Sequence, residues 1–151
     1  MSRSEKVELT VMCMLKNGSK ILVQDRAKKD WPGISFPGGH VEKRESFVEA
    51  VKREFLEETG LAIENPRICG IKQWQSDEET RYIVIFFRAD RFTGELASSD
   101  EGEVFWIERD ELLNYKLARD FDEMVRIMED DNLNEFYYKG DPHGEFETMI
   151  F

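Results

Sequence analysis

The sequence predicts an α+β domain, and three observations predict it. From Val7 to Leu15 apolar positions alternate with mixed ones at a period of two, the mark of a strand with one buried face. The run Arg81 to Ala89, carrying Tyr82-Ile-Val-Ile-Phe-Phe87, is the most β-prone of the chain and reads as a central strand. Two further stretches, about Phe47 to Thr59 and Arg119 to Met128, repeat apolar residues at helical spacing. Strands interrupted by one early helix and followed by another argue for a sheet and helices packed in layers.

Length and composition bound this class. The 151 residues suit one domain, 1–151, large enough to bury a core without disulfides or metal staples. A hydrophobic fraction of 40% and no apolar run near the ~20 residues of a membrane span describe a globular chain that does not cross a bilayer. The start, Met1 to Lys6, lacks the apolar region of a signal peptide, which predicts a cytoplasmic protein. Cys13 and Cys69 both lie in apolar strand-like stretches and read as buried thiols rather than a disulfide or catalytic pair. A net charge of −11 without a basic stripe opposes binding to a nucleic-acid polymer, whose backbone is held by Lys and Arg. A small phosphate ester arriving with metal ions is still admissible, because the ions invert the field of an acidic site. There are no repeats, low-complexity segments or linkers.

In order, Val7–Leu15 puts Val7, Leu9, Val11, Cys13 and Leu15 on one face and Glu8, Thr10, Met12 and Met14 on a second, only partly polar one. Asn17-Gly18 turns the chain into the returning strand Ile21-Leu22-Val23, which ends at Gln24-Asp25-Arg26. Trp31 to Phe36 reads as a loop punctuated by Pro32 and Gly33, leading to Phe36-Pro37-Gly38-Gly39, where tight glycines let backbone approach a ligand closely. His40 reads as a loop residue. After the first helix, Leu61-Ala-Ile begins a connection, Ile68 to Trp74 is a strand, Ser76 to Thr80 a turn, and Phe92 to Leu96 another turn. Ser98 to Glu103 is an acidic loop before the apolar Val104-Phe-Trp106, and Glu108 to Leu113 starts a short helical turn. In the second helix Phe121, Met124, Val125 and Met128 face the sheet, while Asp120 and Asp122 suit its positive N-terminal end. The tail, from Glu135-Phe-Tyr-Tyr to Phe151, reads as a hairpin with His143 in its turn.

The first helix carries the chemistry. Ser46 followed three residues later by Glu49 is a capping box, and Gly60 is placed to close the last turn in the left-handed conformation. At about 100° per residue, Phe47, Ala50, Val51 and Phe55 form the core stripe, yet Glu54 and Glu58 project into its middle, with Glu57 on the flank. An acidic helix is ordinarily a solvated face. Here the like charges at i, i+3 and i, i+4 repel by roughly 0.2–0.5 kcal/mol a pair even in water, and more where water is thin. Converging carboxylate oxygens without His or Cys suit a hard cation such as Mg²⁺ or Mn²⁺.

These residues carry a resemblance. The stretch Gly39 to Leu61 matches the Nudix box, G-x5-E-x7-R-E-U-x-E-E-x-G-U, at Gly39, Glu45, Arg53, Glu54, Phe55, Glu57, Glu58, Gly60 and Leu61. So many defined positions at set spacing rarely coincide by chance. The preceding Phe36 to Gly39 extends the similarity to MutT-like members that hydrolyse oxidised purine nucleoside triphosphates. The resemblance implies a Nudix-type α/β/α sandwich, a mixed β-sheet between helices, with Glu54, Glu57 and Glu58 as metal ligands joined by the Gly38 carbonyl. It also implies a further carboxylate before Trp106, for which Glu101 fits best and Asp100 and Glu103 are rivals. Arg53 and Glu45 read as an ion pair fixing the direction of the carboxylates. Arg26 reads as a surface charge or, by resemblance, a phosphate contact, and Trp31 as lid packing or base stacking. Phe36 and Gly39 fall at the substrate, and Asp120 sits where mammalian relatives read the base. One departure is Lys43-Arg44, where many relatives carry glycine before the glutamate, and these cations either steer phosphate or solvate the loop.

The implied activity is Mg²⁺- or Mn²⁺-dependent hydrolysis of a diphosphate linkage by a monomer or homodimer, with a nucleoside triphosphate, oxidised purine first, as substrate. Clustered carboxylates holding metal ions can bind phosphates, activate a water and stabilise the leaving oxygen, with Glu54, Glu57 or Glu101 as base. ADP-ribose, nucleotide sugars or dinucleoside polyphosphates come second. ADP-ribose-cleaving relatives often place a proline well after the box, and no proline lies between Pro66 and Pro142. A non-catalytic nucleotide sensor is disfavoured by the complete carboxylate set. An acidic Ca²⁺-binding protein is disfavoured by the lack of any EF-hand-like run.

Overall fold

The computed structural model describes residues 3–151. Its strands, in chain order, are β1 (Lys6–Asn17), β2 (Lys20–Arg26), β3 (Gly33–Ser35), β4 (Gly38–His40), β5 (Leu61–Glu64), β6 (Arg67–Gln75), β7 (Thr80–Ala89), β8 (Arg91–Gly94), β9 (Gly102–Glu108), β10 (Glu135–Lys139) and β11 (Glu147–Ile150). Helix α1 spans Phe47–Thr59, a 3-10 turn Arg109–Asn114, and α2 Phe121–Glu129. Asn17 and Gly18 form the β1–β2 turn, and Gly18 takes the positive φ (62°) that a tight hairpin needs.

The main sheet runs β11-β10-β6-β7-β1-β2-β3 and is mixed: β1 pairs with β7, and β6 with β10, in parallel, while the other neighbours are antiparallel. Because β7 lies between β6 and β1, the β-prone run Arg81 to Ala89 is central, as its composition predicts. The alternation of β1 divides the core in two. Val11, Cys13 and Leu15 pack with Leu22, Ile85 and Phe87 under Ala50, Val51 and Phe55 of α1. Met12 and Met14 pack with Ile21, Val23, Val84 and Phe86 under Phe121, Met124, Val125 and Met128 of α2. The second face of β1 is thus more apolar in use than its sequence reads, and Thr10 there gives its hydroxyl proton to the Ile83 carbonyl at 3.0 Å. Helix, sheet, helix is the α/β/α layering expected.

The site depends on how β1 shares its other edge. β2 pairs with β1 only at Lys16 and Asn17, whereas β4 takes Thr10, Val11 and Met12. Strands β1 and β2 therefore diverge away from their turn, and β4 fills the edge so vacated, held also by the Cys13 N–H donating to the Pro37 carbonyl at 3.1 Å.

Several sequence expectations are corrected. The Trp31–Phe36 loop contains β3, because Gly33 and Ile34 pair with Arg26 and Asp25. His40 ends β4 rather than lying in a loop. Leu61–Glu64 and Arg91–Gly94 are not connection and turn but a separate two-stranded sheet, β5 with β8, burying Leu61 and Ile63 against α1. Helix α2 starts at Phe121, not Arg119, since Asp120 is in the left-handed region at φ 61°. Phe47 is 38% exposed, for it stands in the first turn of α1, beyond the edge of the core it was expected to face. Cys13 is buried and Cys69 half-buried, both free, with burial pushing the Cys69 thiol up to about 12. The tail is the expected hairpin, β10 with β11. Among the described residues no helix is long and apolar enough to cross a membrane.

Candidate active site

Helix α1 is aimed by its ends and by one anchor. The Ser46 hydroxyl accepts from the Glu49 N–H at 3.0 Å and the Glu49 carboxylate from the Ser46 N–H at 2.9 Å, completing the capping box. At the other end Gly60 has φ 77°, and a Cβ there would lie 2.3 Å from the Glu95 carbonyl oxygen. Phe55 is fully buried, and its loss would cost roughly 3–5 kcal/mol. That anchor fixes the rotation of the helix and turns Glu58 inward, leaving it 4% exposed.

Glu58 ties the split sheet together. Its Oε2 accepts from the Gly38 N–H on β4 at 3.0 Å and from Gln24 Nε2 on β2 at 3.4 Å. Burial above all, with repulsion from Glu54 and Glu101, pushes its carboxyl up to about 8 despite those two donors. Glu54, 17% exposed at its side chain, is likewise raised by burial, against the pull of Arg53. Its carboxylate lies so near the chain at Gly39 that a Cβ there would fall 2.4 Å from Glu54 Oε2. Any side chain there would displace the Glu54 carboxylate from the site, which gives the glycine of the sequence motif its physical reason.

Arg53 organises the acidic groups. Nε and Nη2 donate to both oxygens of Glu45 at 2.7 and 2.9 Å, Nη2 also to the His40 carbonyl at 3.0 Å, and Nη1 to Glu54 at 2.9 Å and Glu57 at 3.3 Å. The paired guanidinium holds the Glu45 carboxyl down at about 2. Arg44, immediately before Glu45, has φ 66°, so the glycine of many relatives is replaced here by an exposed arginine in left-handed backbone.

One cavity of about 560 Å³ gathers most of the expected residues: Glu54, Glu58, Glu101, Gly38 and Gly39, together with Arg26, Trp31 and Phe36. Glu101 lines it, half-buried and 3.0 Å from Lys28 Nζ, whereas its rivals Asp100 and Glu103 are exposed. Glu57 is not on the wall but on the helix flank, 59% exposed and turned to Arg53. Arg26 donates to the Trp31 carbonyl at 2.7 Å, and its guanidinium lies 5.2 Å from the Trp31 ring. Trp31 Nε1 in turn donates to the Arg119 carbonyl at 3.0 Å. Phe36 is 1% exposed and stacks edge-on against Phe121 at 4.7 Å. Asp120 makes no capping bond with its side chain; it accepts instead from the Tyr138 hydroxyl and stands behind that ring.

Sequence reasoning missed the far wall, built from Lys72, Trp74, Tyr82 and Tyr138. The sheet register assembles it. Lys72 pairs across to Phe136 and Val84, and Trp74 to Tyr138 and Tyr82, so alternate residues of β6 and their neighbours share one face. The available signal was a lysine two residues before a tryptophan, on the same face of a strand.

The carboxylates and the glycine backbone form an all-oxygen set, which suits a hard divalent cation. Among the described residues no three acidic, His or Cys side chains converge as a closed cage, because Glu54 and Glu57 are engaged by Arg53 and Glu101 by Lys28.

Comparison with known proteins accounts for this geometry. The NUDIX domain family matches residues 6–129. An uncharacterized Nudix hydrolase, YvcI, of Bacillus subtilis is 30% identical over 111 residues, covering 70% of this chain and 69% of its own. The oxidized purine nucleoside triphosphate hydrolase of Danio rerio is 36% identical over 83 residues, 54% of this chain and 51% of that protein, so the match spans about half of this relative's length. Among solved structures, a mutator MutT protein from Bacillus halodurans superposes with a TM-score of 0.78 at 27% identity, over 95% of this chain and 97% of that one. The chain belongs to the Nudix hydrolase family. It is a hydrolase of a nucleotide-linked substrate, in a family that generally uses divalent metal ions.

Proposed function

We propose that the protein hydrolyses the diphosphate linkage of a purine nucleoside triphosphate, ordinary or oxidised, to monophosphate and pyrophosphate with Mg²⁺ or Mn²⁺. The observation that carries this is that Glu54, Glu58 and Glu101, the first two raised by burial, line one cavity with the rings of Trp31, Trp74, Tyr82 and Tyr138. The likeness to the Danio rerio oxidized purine nucleoside triphosphate hydrolase supports the substrate class.

In this reading Glu54, Glu58 and Glu101, with Glu57 and the Gly38 carbonyl, hold the metal. Bound there, divalent ions supply charge neutralisation of the phosphates and an activated water. The Gly38 N–H and Gln24 fix the Glu58 carboxylate, and Arg53 orients Glu54 and Glu57 from the rear. With the metal bound, a carboxylate oxygen of Glu54, Glu57 or Glu101 would be the one to take a proton from the attacking water. Arg26 and Lys28 line the same cavity and favour phosphate between the two ends, while Trp31, Trp74 and Tyr138 exclude water around the base.

The test is release of pyrophosphate and of phosphate, with Mg²⁺, from ordinary and 8-oxo purine nucleoside triphosphates, ADP-ribose and dinucleoside polyphosphates. Pyrophosphate from the triphosphates supports the proposal. Cleavage of only the dinucleotide compounds overturns the substrate class, and silence across the panel favours a binding module.

A further inference from the structure

Lys72 is 5% exposed, yet its ammonium has no oxygen partner. Nζ reaches only the Met124 sulfur, at 3.6 Å, and lies 4.9 to 5.4 Å from the ring centres of Tyr138, Trp74, Phe136 and Trp31. A thioether is a weak acceptor and ring faces return only part of a lost hydration shell. Burial accordingly lowers the ammonium's affinity for its proton, bringing it down to about 8 despite the attraction of the Asp120 carboxylate. The same side chain lines the cavity that holds the carboxylates Glu54, Glu58 and Glu101. A desolvated donor facing a cavity walled by Trp31, Trp74, Tyr82 and Tyr138 calls for a flat ligand that presents acceptor atoms.

The geometry points to Lys72 as the residue that reads the base, donating to the acceptor edge of a 6-oxopurine and disfavouring a 6-aminopurine. A 6-oxopurine offers O6 beside N7, and an oxidised one O6 and O8, so this edge carries acceptors for an ammonium. A 6-aminopurine turns N–H donors toward the same cation. Tyr138 closes the site from the side: its proton is committed to Asp120, so toward a ligand its oxygen can only accept. This assignment rests on the proposed nucleotide reading and adds the group that selects among nucleotides.

The test uses inosine and adenosine monophosphates, which bind without turnover, in titration calorimetry with wild type, Lys72→Met and Lys72→Gln, beside kcat/KM for the two triphosphates. Wild type is expected to bind the 6-oxo compound more tightly by roughly 5- to 150-fold, the range of one well-placed base contact. In Lys72→Met the ratio is expected to fall to within about threefold. Lys72→Gln, which keeps a neutral donor, is expected to recover part of it. Equal binding by wild type, or a preference unchanged in a folded Lys72→Met, overturns the assignment, and the wild-type ratio decides even if neither variant folds. A Lys72-dependent preference without turnover of either triphosphate would refute the proposed reaction and leave this assignment standing. Turnover with no Lys72-dependent ratio would do the reverse.

Discussion

The two ends of the cleft are built on opposite charges, and each lacks what the other has. At one end the buried Glu58 and the half-buried Glu54 are carboxylates that repel one another, and the cation near them, Arg53, approaches Glu54 and Glu57 and not Glu58. At the other, Lys72 is a buried ammonium with a sulfur for its hydrogen-bond partner. Contrast Arg53, a cation whose every edge meets an oxygen. Arg53 is satisfied within the fold and acts as a support, whereas Lys72, bonded to a sulfur, and Glu58, bonded to the Gly38 N–H and Gln24, have no salt-bridge partner among the described residues. A phosphate ester carrying a base at one end and a metal-bound phosphate chain at the other would meet both needs at once.

Breaking the acidic end is expected to have the largest effect. Glu57→Gln removes most activity and leaves the fold intact, and Glu58→Gln lowers kcat by at least about a hundredfold, several kcal/mol of lost metal and transition-state support. Both are read by steady-state kinetics with circular dichroism as the fold control. Removing the support is milder: Arg53→Ala leaves the carboxylates present but undirected, for a loss of roughly 10- to 100-fold in kcat, only partly recovered by Lys, which lacks the fork that holds Glu45 by two bonds.

At the other end the sign reverses. Lys72→Met is expected to stabilise the ligand-free protein, raising Tm by roughly 2–8 °C at pH 7, because it removes a buried charge whose burial outweighs the attraction of Asp120. The pH dependence follows from the same shift. Below about 8 the folded and unfolded states both carry the proton and the full cost is present; between about 8 and 10.5 only the unfolded state keeps it, so wild-type stability gains on Lys72→Met as pH rises through that window. Asp120, Arg119 and Tyr138 face the lysine and are unchanged in the comparison. Glu45 behaves oppositely: held at about 2 against 4.5 unfolded, it contributes stability above 4.5 that is lost as pH falls through 2, and Glu45→Gln is expected to flatten that acid limb in thermal melts. The smallest effect is expected at Arg44, where Gly relieves left-handed strain and raises stability by up to about 1 kcal/mol. An unchanged KM there would leave Arg44 a solvating residue, and a raised one would make it a phosphate-steering group.

The acidic end was legible because its signal is local. Glu54, Glu57 and Glu58 sit within one helix whose cap, stop and apolar stripe are all written in consecutive residues, and the Gly38 backbone that Glu58 meets lies 20 residues upstream, in the same motif-bearing stretch. The layers were legible for the same reason, as the period of β1 and β7 declares them strands. The aromatic end was not. Lys72, Val84, Phe136 and Tyr138 meet only through the pairing of β6 with β7 and β10, and nothing local to any of those strands sets that register. The β5–β8 ribbon escaped likewise, since both strands are short and bounded by residues that read as turns. Asp120 was placed near the base on resemblance, but its left-handed backbone and its bond to Tyr138 depend on where β10 lies.

The central claim is that the buried carboxylates form a cation site, and Mn²⁺ binding to wild type and Glu58→Gln tests it most directly. Titration calorimetry at neutral pH is expected to show binding by wild type and at least a tenfold weaker affinity in a Glu58→Gln protein whose melting temperature is undiminished. Equal Mn²⁺ affinity in the two proteins, or none in wild type, would contradict it.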